Sequence, residues 1–259
     1  MNHLLRQTMK INTSRFKPAF KAMSVHFGLS LLVAAVTALL VFTLWFPYPY
    51  RELAGGRELF ILVMTVDIVC GPFLTLVLFS PTKPKKELIT DILLIAVIQI
   101  IALCYGIWTV LQVRPLFLVQ EADRFNIISA ANIETNDLEL LPANLKPKLF
   151  GGPIKVSLRN MTSEEREKLS AQIKSGGKDA SELPFFYENY QGNKAYQNGH
   201  ELRELLITHP QHKTTISKLI DKSNSSDAKK MRYSYIVGYQ YWIVMVTPSG
   251  EFVEYLEIK

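Results

Sequence analysis

Residues 59–80 read LFILVMTVDIVCGPFLTLVLFS, an apolar run in which Asp67 is the only charge and Gly71-Pro72 the only break. A run of that length suits a helix crossing ~30 Å of hydrocarbon at ~1.5 Å per residue. The chain thus sets a carboxylate and a helix breaker where a bilayer favours neither. Asp67 falls near the middle of the run, at a depth where a charge costs roughly 2.5–3.5 kcal/mol, so it is expected to face protein. Pro72 removes a backbone donor, deprives the carbonyl of Ile68 of its usual partner, and predicts a kink just past Asp67.

Two further apolar runs flank this one, so that the three candidate crossings lie at about 24–46, 58–80 and 91–112. The linkers between them, FPYPYRELAGGR and SPTKPKKELIT, are polar or proline-rich. Three membrane crossings follow as the expectation, although the overall hydrophobic content of 48% is unremarkable for 259 residues. The first run is too long, and its end WFPYPY too aromatic, for a cleavable leader, so it reads as an anchor.

Arg6, Lys10, Arg15, Lys17 and Lys21 precede the first run and Lys83, Lys85 and Lys86 lie in the second linker, against Arg51 and Arg57 in the first. By the positive-inside rule the basic tail, 1–23, and the second linker face the cytoplasm. Residues 113–259 then lie on the far side, periplasmic in a Gram-negative cell. These basic flanks account for much of the net charge of +6. No basic surface interleaved with aromatics suggests nucleic acid as a partner.

Small and polar residues recur at helical spacing in each run. Asp67, Gly71 and Thr75 share a face, as do His26, Ser30, Ala34 and Ala38, and Ala102 with Gly106. Such faces predict a compact bundle. Gln99 enters to nearly the depth of Asp67, so the two are expected to hydrogen-bond or to point together at a guest helix. His26 reads as a boundary residue that packs or snorkels. One account of Asp67, Gln99 and the Gly-Pro pair is that they fix register within the bundle; another is that they receive the transmembrane helix of a second protein. Transport is the weakest account, because one buried acid without a second buried charge makes a poor path.

Beyond the third run the pattern is that of an α+β domain with a small antiparallel sheet. Two short strands meet at Asp123-Arg124, TNDLELL (135–141) reads as a short capped helix and GGPIKVSLRN as a strand. Thr162 with Glu165 forms a capping box that opens a helix to about Lys174. Residues 175–198, rich in Gly, Ser, Asn and aromatics, read as a long irregular loop whose Phe185, Phe186, Tyr187, Tyr190 and Tyr196 pack over the core or bind a partner. Helical GHELRELLI and TTISKLIDKS follow. The chain then closes on YSYIVGY and a hairpin in which WIVMV and EFVEYLEI meet across TPSG.

No constellation suggests an enzyme. Gly151-Gly152 lacks the spacing of a phosphate loop, and Cys70 and Cys104 both sit in apolar runs. His200, His209 and His212 lack the further ligands of a metal centre, so no metal or cofactor is expected.

The order of these features resembles the TfpX/TfpZ family of type IV pilin accessory proteins. SRFKPAFKAMSVHFGLSLL, FPYPYRELAGG, TVDIVCGPFLTLVLF and YGIWTVLQVRPLFLVQEADRFNIISAANI carry the likeness, which loosens from about residue 135. The matching positions are Tyr50, Gly55, Gly56, Asp67, Gly71, Pro72, Arg114, Pro115, Asp123, Arg124 and Phe125. The resemblance implies a non-enzymatic inner-membrane protein that assists pilin stability or pilus assembly, with the major pilin and membrane lipid as partners. Pilins of this type wait in the membrane as single helices with a buried acidic residue. Together with Gln99, read from its depth in the third run, Asp67, Gly71, Pro72, Arg114, Asp123 and Arg124 make up the expected partner-binding set; self-association is left open. A ligand sensor or a small transporter subunit are the alternatives. The short basic tail argues against an output domain, and the lack of pathway charges argues against transport.

Overall fold

The computed structural model describes residues 13–214, 216–217 and 230–258. Arg6 and Lys10, and most of the second helical stretch after residue 208, lie outside the described residues. In chain order the elements are α1 (Thr13–Leu40), α2 (Tyr50–Leu53), α3 (Gly56–Leu78), α4 (Lys85–Gln112), β1 (Pro115–Glu121), β2 (Arg124–Ser129) and α5 (Thr135–Glu139). They continue with β3 (Ile154–Leu158), α6 (Ser163–Lys174), β4 (Tyr187–Asn189), α7 (Gly192–Asn198), β5 (His200–Glu201), α8 (Leu202–Thr208), β6 (Arg232–Val237), β7 (Tyr241–Val246) and β8 (Phe252–Glu257).

The chain divides into two compact units, one holding residues up to 40 with 58–109 and the other holding 41–57 with 110–259. In the first unit α1, α3 and α4 are long and apolar enough to cross a membrane, α1 continuing through a π-helical turn to Trp45. α3 runs unbroken through Pro72. The three helices form one compact unit, but their contacts cover only part of their apolar surface. No more than 22% of the most apolar window of any of these helices is buried within the protein. Close packing is local: Ala34, Met64, Gly71, Thr75 and Ile95 are buried, and Gly106 lies against Val63, while Ala102 stays exposed.

The second unit is built on one sheet, ordered β4-β3-β1-β2-β6-β7-β8, with β5 on the N-terminal half of β6. The sheet is mixed, not antiparallel as expected. β1 runs parallel to β3 and β2 parallel to β6, while β1–β2, β3–β4, β6–β7 and β7–β8 are antiparallel. The short turns that sequence patterns reveal make antiparallel neighbours. β3 and β6 arrive instead over long connections, residues 130–153 and the stretch from 190 to 231, which leave room for the crossover that a parallel neighbour requires.

β1 is enclosed on both faces. Phe117 and Val119 enter a core with Ile128, Val156, Phe186 and Tyr187, whereas Leu118 on the other face joins Phe125, Ile236, Trp242 and Val244. This second core also takes Tyr50 and Leu53 from α2, so the linker between the first two apolar helices is part of the sheet domain. The Leu53 carbonyl accepts from the backbone of Tyr239 at 2.7 Å. Tyr50 and Tyr255 share a hydrogen bond, and burial raises both phenols above their usual range.

Residues 175–198 are not an irregular loop; they hold two 3₁₀ turns, β4 and α7. Of their aromatics, Phe186 and Tyr187 are core, Tyr190 and Tyr196 pack partly against the second core, and Phe185 stands exposed with the Arg159 guanidinium over its ring. The capping box at α6 forms as read, Thr162 accepting from the backbone of Glu165 and Glu165 from that of Thr162. The helix at 135–139 forms too, but Glu134 at its N-cap makes no side-chain cap. The closing hairpin turns at Gly250, whose φ of +85° favours glycine and whose face meets the backbone of Gly192, leaving no space for a Cβ.

Candidate partner-binding site

In the helical unit four polar residues, one or more from each long helix, meet in a single chain of hydrogen bonds. His26 on α1 bonds Thr75 on α3 through Nδ1 at 2.6 Å and Gln99 on α4 through Nε2. Gln99 Nε2 in turn donates to the main-chain carbonyl of Asp67 at 3.3 Å. Gln99 Oε1 can only accept, so His26 Nε2 carries a proton; with a neutral ring, Nδ1 then accepts from the Thr75 hydroxyl. Every link has a donor and an acceptor, and the chain needs no net charge.

The structure thus joins Asp67 to Gln99 through a backbone oxygen rather than through the carboxyl. Gln99 reaches that oxygen because Gly71, one helical turn further on, has no side chain: a Cβ there would fall inside the Gln99 amide. Pro72 and Thr75 are buried beside it. His26 is a member of this network rather than a boundary residue. Its spacing from Ser30 and Ala34 on the small-residue face was the signal for that placement.

The Asp67 carboxyl makes no hydrogen bond or ion pair among the described residues. It lines an open groove of about 240 Å³ with His26, Ser30, Ala34, Met64 and Gln99. A second groove, about 550 Å³, continues from His26 past Thr75 to Phe79, Ile92 and Lys21. Its walls are apolar apart from these few side chains, an arrangement suited to an apolar helix or acyl chain that brings one polar group.

The remaining residues of the implied set belong to the sheet unit. Arg114 is buried just before β1, where one guanidinium nitrogen donates to the carbonyl of Leu149, Nε has no partner among the described residues, and desolvation lowers its pKa. Its bond to Leu149 ties Arg114 into the sheet unit itself. Asp123 and Arg124 sit at the other end of the β1–β2 hairpin, both exposed. Asp123 faces His200 at 3.1 Å, and Arg124 faces Glu121 at 3.2 Å.

His209 and His212 lie with ring centres 6.4 Å apart, and among the described residues no group of three or more His, Cys, Asp or Glu side chains is arranged to hold a metal ion.

Comparison with known proteins gives one family model, described as fimbrial assembly protein FimB, which matches residues 14–55. That stretch covers α1 and the linker whose Tyr50 and Leu53 enter the sheet core. Among curated relatives, a fimbrial assembly protein of serogroup I from Dichelobacter nodosus is 35% identical over 181 residues, 70% of each chain. The serogroup E1 protein of the same organism is 34% identical over the same shares. That of serogroups C1 and C2 is 41% identical over 128 residues, 49% of this chain and 98% of the relative. No solved structure matches the chain.

Proposed function

Because the chain belongs to the FimB fimbrial assembly protein family, we propose that it serves type IV fimbriae as a non-enzymatic, chaperone-like protein of the bacterial inner membrane that holds pilin before or during assembly. This reading is compatible with the TfpX/TfpZ resemblance of the sequence. In it α1, α3 and α4 cross the bilayer, residues 1–23 face the cytoplasm and residues 113–259 fold in the periplasm. The basic flanks and the three membrane-length helices support that orientation.

The observation that carries the proposal is the Asp67 carboxyl, unpaired and open to a groove between helices whose outer faces are mostly bare. A major-pilin helix docks there and brings a donor for Asp67, while lipid fills the groove in its absence. Asp123 and Arg124, exposed at the hairpin tip, are the contacts offered to the pilin's globular head. An acidic pilin side chain beside Asp67 is tolerated when one carboxyl is protonated or hydrogen-bonded to a neutral donor such as Gln99.

The test is photocrosslinking in a piliated host from Met64 and Leu103, which line the groove, with partners identified by mass spectrometry. Capture of the major pilin through its membrane helix is expected, with Asp67→Asn lowering both capture and pilus number. Full capture and normal piliation in the Asp67→Asn strain would return Asp67 to a purely structural role.

A further inference from the structure

Residues 146–152, KPKLFGG, lie between the 3₁₀ turn at 143–145 and β3 and carry two large apolar side chains directed away from the core. Leu149 is 55% and Phe150 69% exposed, and neither joins the cores on either face of the sheet. The backbone beneath them is pinned. The Leu149 carbonyl accepts from Trp45 Nε1 at 2.8 Å and from the buried Arg114 guanidinium, and Gly152 lies against Pro47.

Those two anchors are not arbitrary places in the chain. Trp45 is the last residue of the first membrane-length helix, and Arg114 lies two residues beyond Gln112, the last of the third. The loop is therefore held at the level where two apolar helices end, the level at which an indole ordinarily sits among lipid headgroups. Behind the apolar tip lies a recess of about 260 Å³ lined by Asn144, Lys146, Lys148, Gly151 and Gly152. Both lysines are exposed. An apolar pair projecting beside a basic, amide-bearing recess matches the two ends of one ligand class, acyl chain and anionic headgroup.

We infer that residues 144–152 bind anionic phospholipid of the leaflet in which α1 and α4 end, with Leu149 and Phe150 dipping among the acyl chains and Lys146 and Lys148 holding the phosphate. The inference rests on the reading that the three apolar helices cross a membrane. It goes beyond that reading by giving the sheet domain its own grip on the bilayer, independent of any fimbrial partner.

The experiment uses the full chain in vesicles, with Cys70 and Cys104 replaced by serine and one environment-sensitive fluorophore attached at Phe150→Cys or, in a second preparation, at Val97→Cys within α4. Lipids brominated near the carbonyl end of their chains report insertion at 150, lipids brominated near the methyl end report it at 97, and aqueous iodide reports exposure. The expected result is lipid quenching at position 150 that grows when phosphatidylglycerol replaces phosphatidylcholine, a growth largely lost in K146Q/K148Q. Iodide access at 150 with lipid quenching at 97 overturns the inference while the membrane reading stands. A label at 150 shielded from iodide yet unquenched by lipid also overturns it, because protein then covers the tip. If the label at 97 is not quenched, the membrane reading fails and takes this inference with it.

Discussion

Phe117 in β1 and Phe73 in α3 both lie in long apolar runs, yet Phe117 is wholly enclosed and Phe73 is 59% exposed. The contrast holds for most of the two units: apart from a few side chains such as Leu149, Phe150 and Phe185, the sheet domain covers its apolar side chains with its own elements, whereas the helical unit leaves Leu62, Val69, Leu93 and Ile101 bare. Hydrophobicity alone is therefore silent about what covers a residue. In the sheet domain the cover is largely internal; in the helices most of the apolar surface is left open, the surface that the proposed function gives to lipid and a guest helix.

The strongest test of this contrast is Phe117→Ala, which opens a void in a core closed on both sides and is expected to cost about 3–5 kcal/mol, read as loss of cooperative melting of the sheet domain in detergent. Leu53→Ala comes next at about 2–5 kcal/mol, because its side chain is fully buried in the same domain despite lying between two apolar helices. An unchanged melting temperature for this variant would detach the linker from the sheet core and erase the boundary between the units.

Smaller effects belong to the surface of the domain. Thr162→Ala is expected to cost about 1 kcal/mol by opening the cap of α6. The same cap is sensitive to acid. The Arg159 hydrogen bond, then the Thr162 backbone, hold the Glu165 carboxyl down to about 2 from the usual 4.5. Since the folded value is the lower one, this stabilisation is complete at neutral pH and fades as pH falls from about 4.5 to about 2. Melting curves of wild type and Glu165→Gln should separate at pH 7 and converge near the bottom of that window. Least of all is Leu62→Ala in α3, expected to stay within ~0.5 kcal/mol. A loss above ~1 kcal/mol there would mean that protein already covers that face, and self-association would become the first thing to measure.

What could be read in advance was local. The Thr162/Glu165 box acts over three residues, and the closing hairpin and the β1–β2 pair turn over a few more, so their signals lie side by side in the chain. The parallel pairings of β3 with β1 and β6 with β2 had no such signal, because long connections determine them. Tyr50 and Leu53 looked like linker because the strands they pack on come much later. In the candidate site the face carrying Asp67, Gly71 and Thr75 was visible as a helical repeat. That Gln99 meets a backbone oxygen of Asp67, with His26 completing the chain, depends on a close approach only the folded arrangement reveals.

The burial of the first linker in the sheet domain has a consequence for biosynthesis. Tyr50 emerges early from the ribosome, and its hydroxyl waits for Tyr255, within the last strand, before the core can close. If the helices insert in the bilayer, the linker and the sheet sequence must be delivered to the same side for that pairing to occur. If one of α3 and α4 then failed to cross, linker and sheet would part and leave an open core, a substrate for proteases. Closure of the sheet core would thus double as an inspection of helix insertion, and cells making a variant whose α4 is kept from crossing, such as Val97→Lys with Ile101→Lys, should degrade it instead of accumulating it.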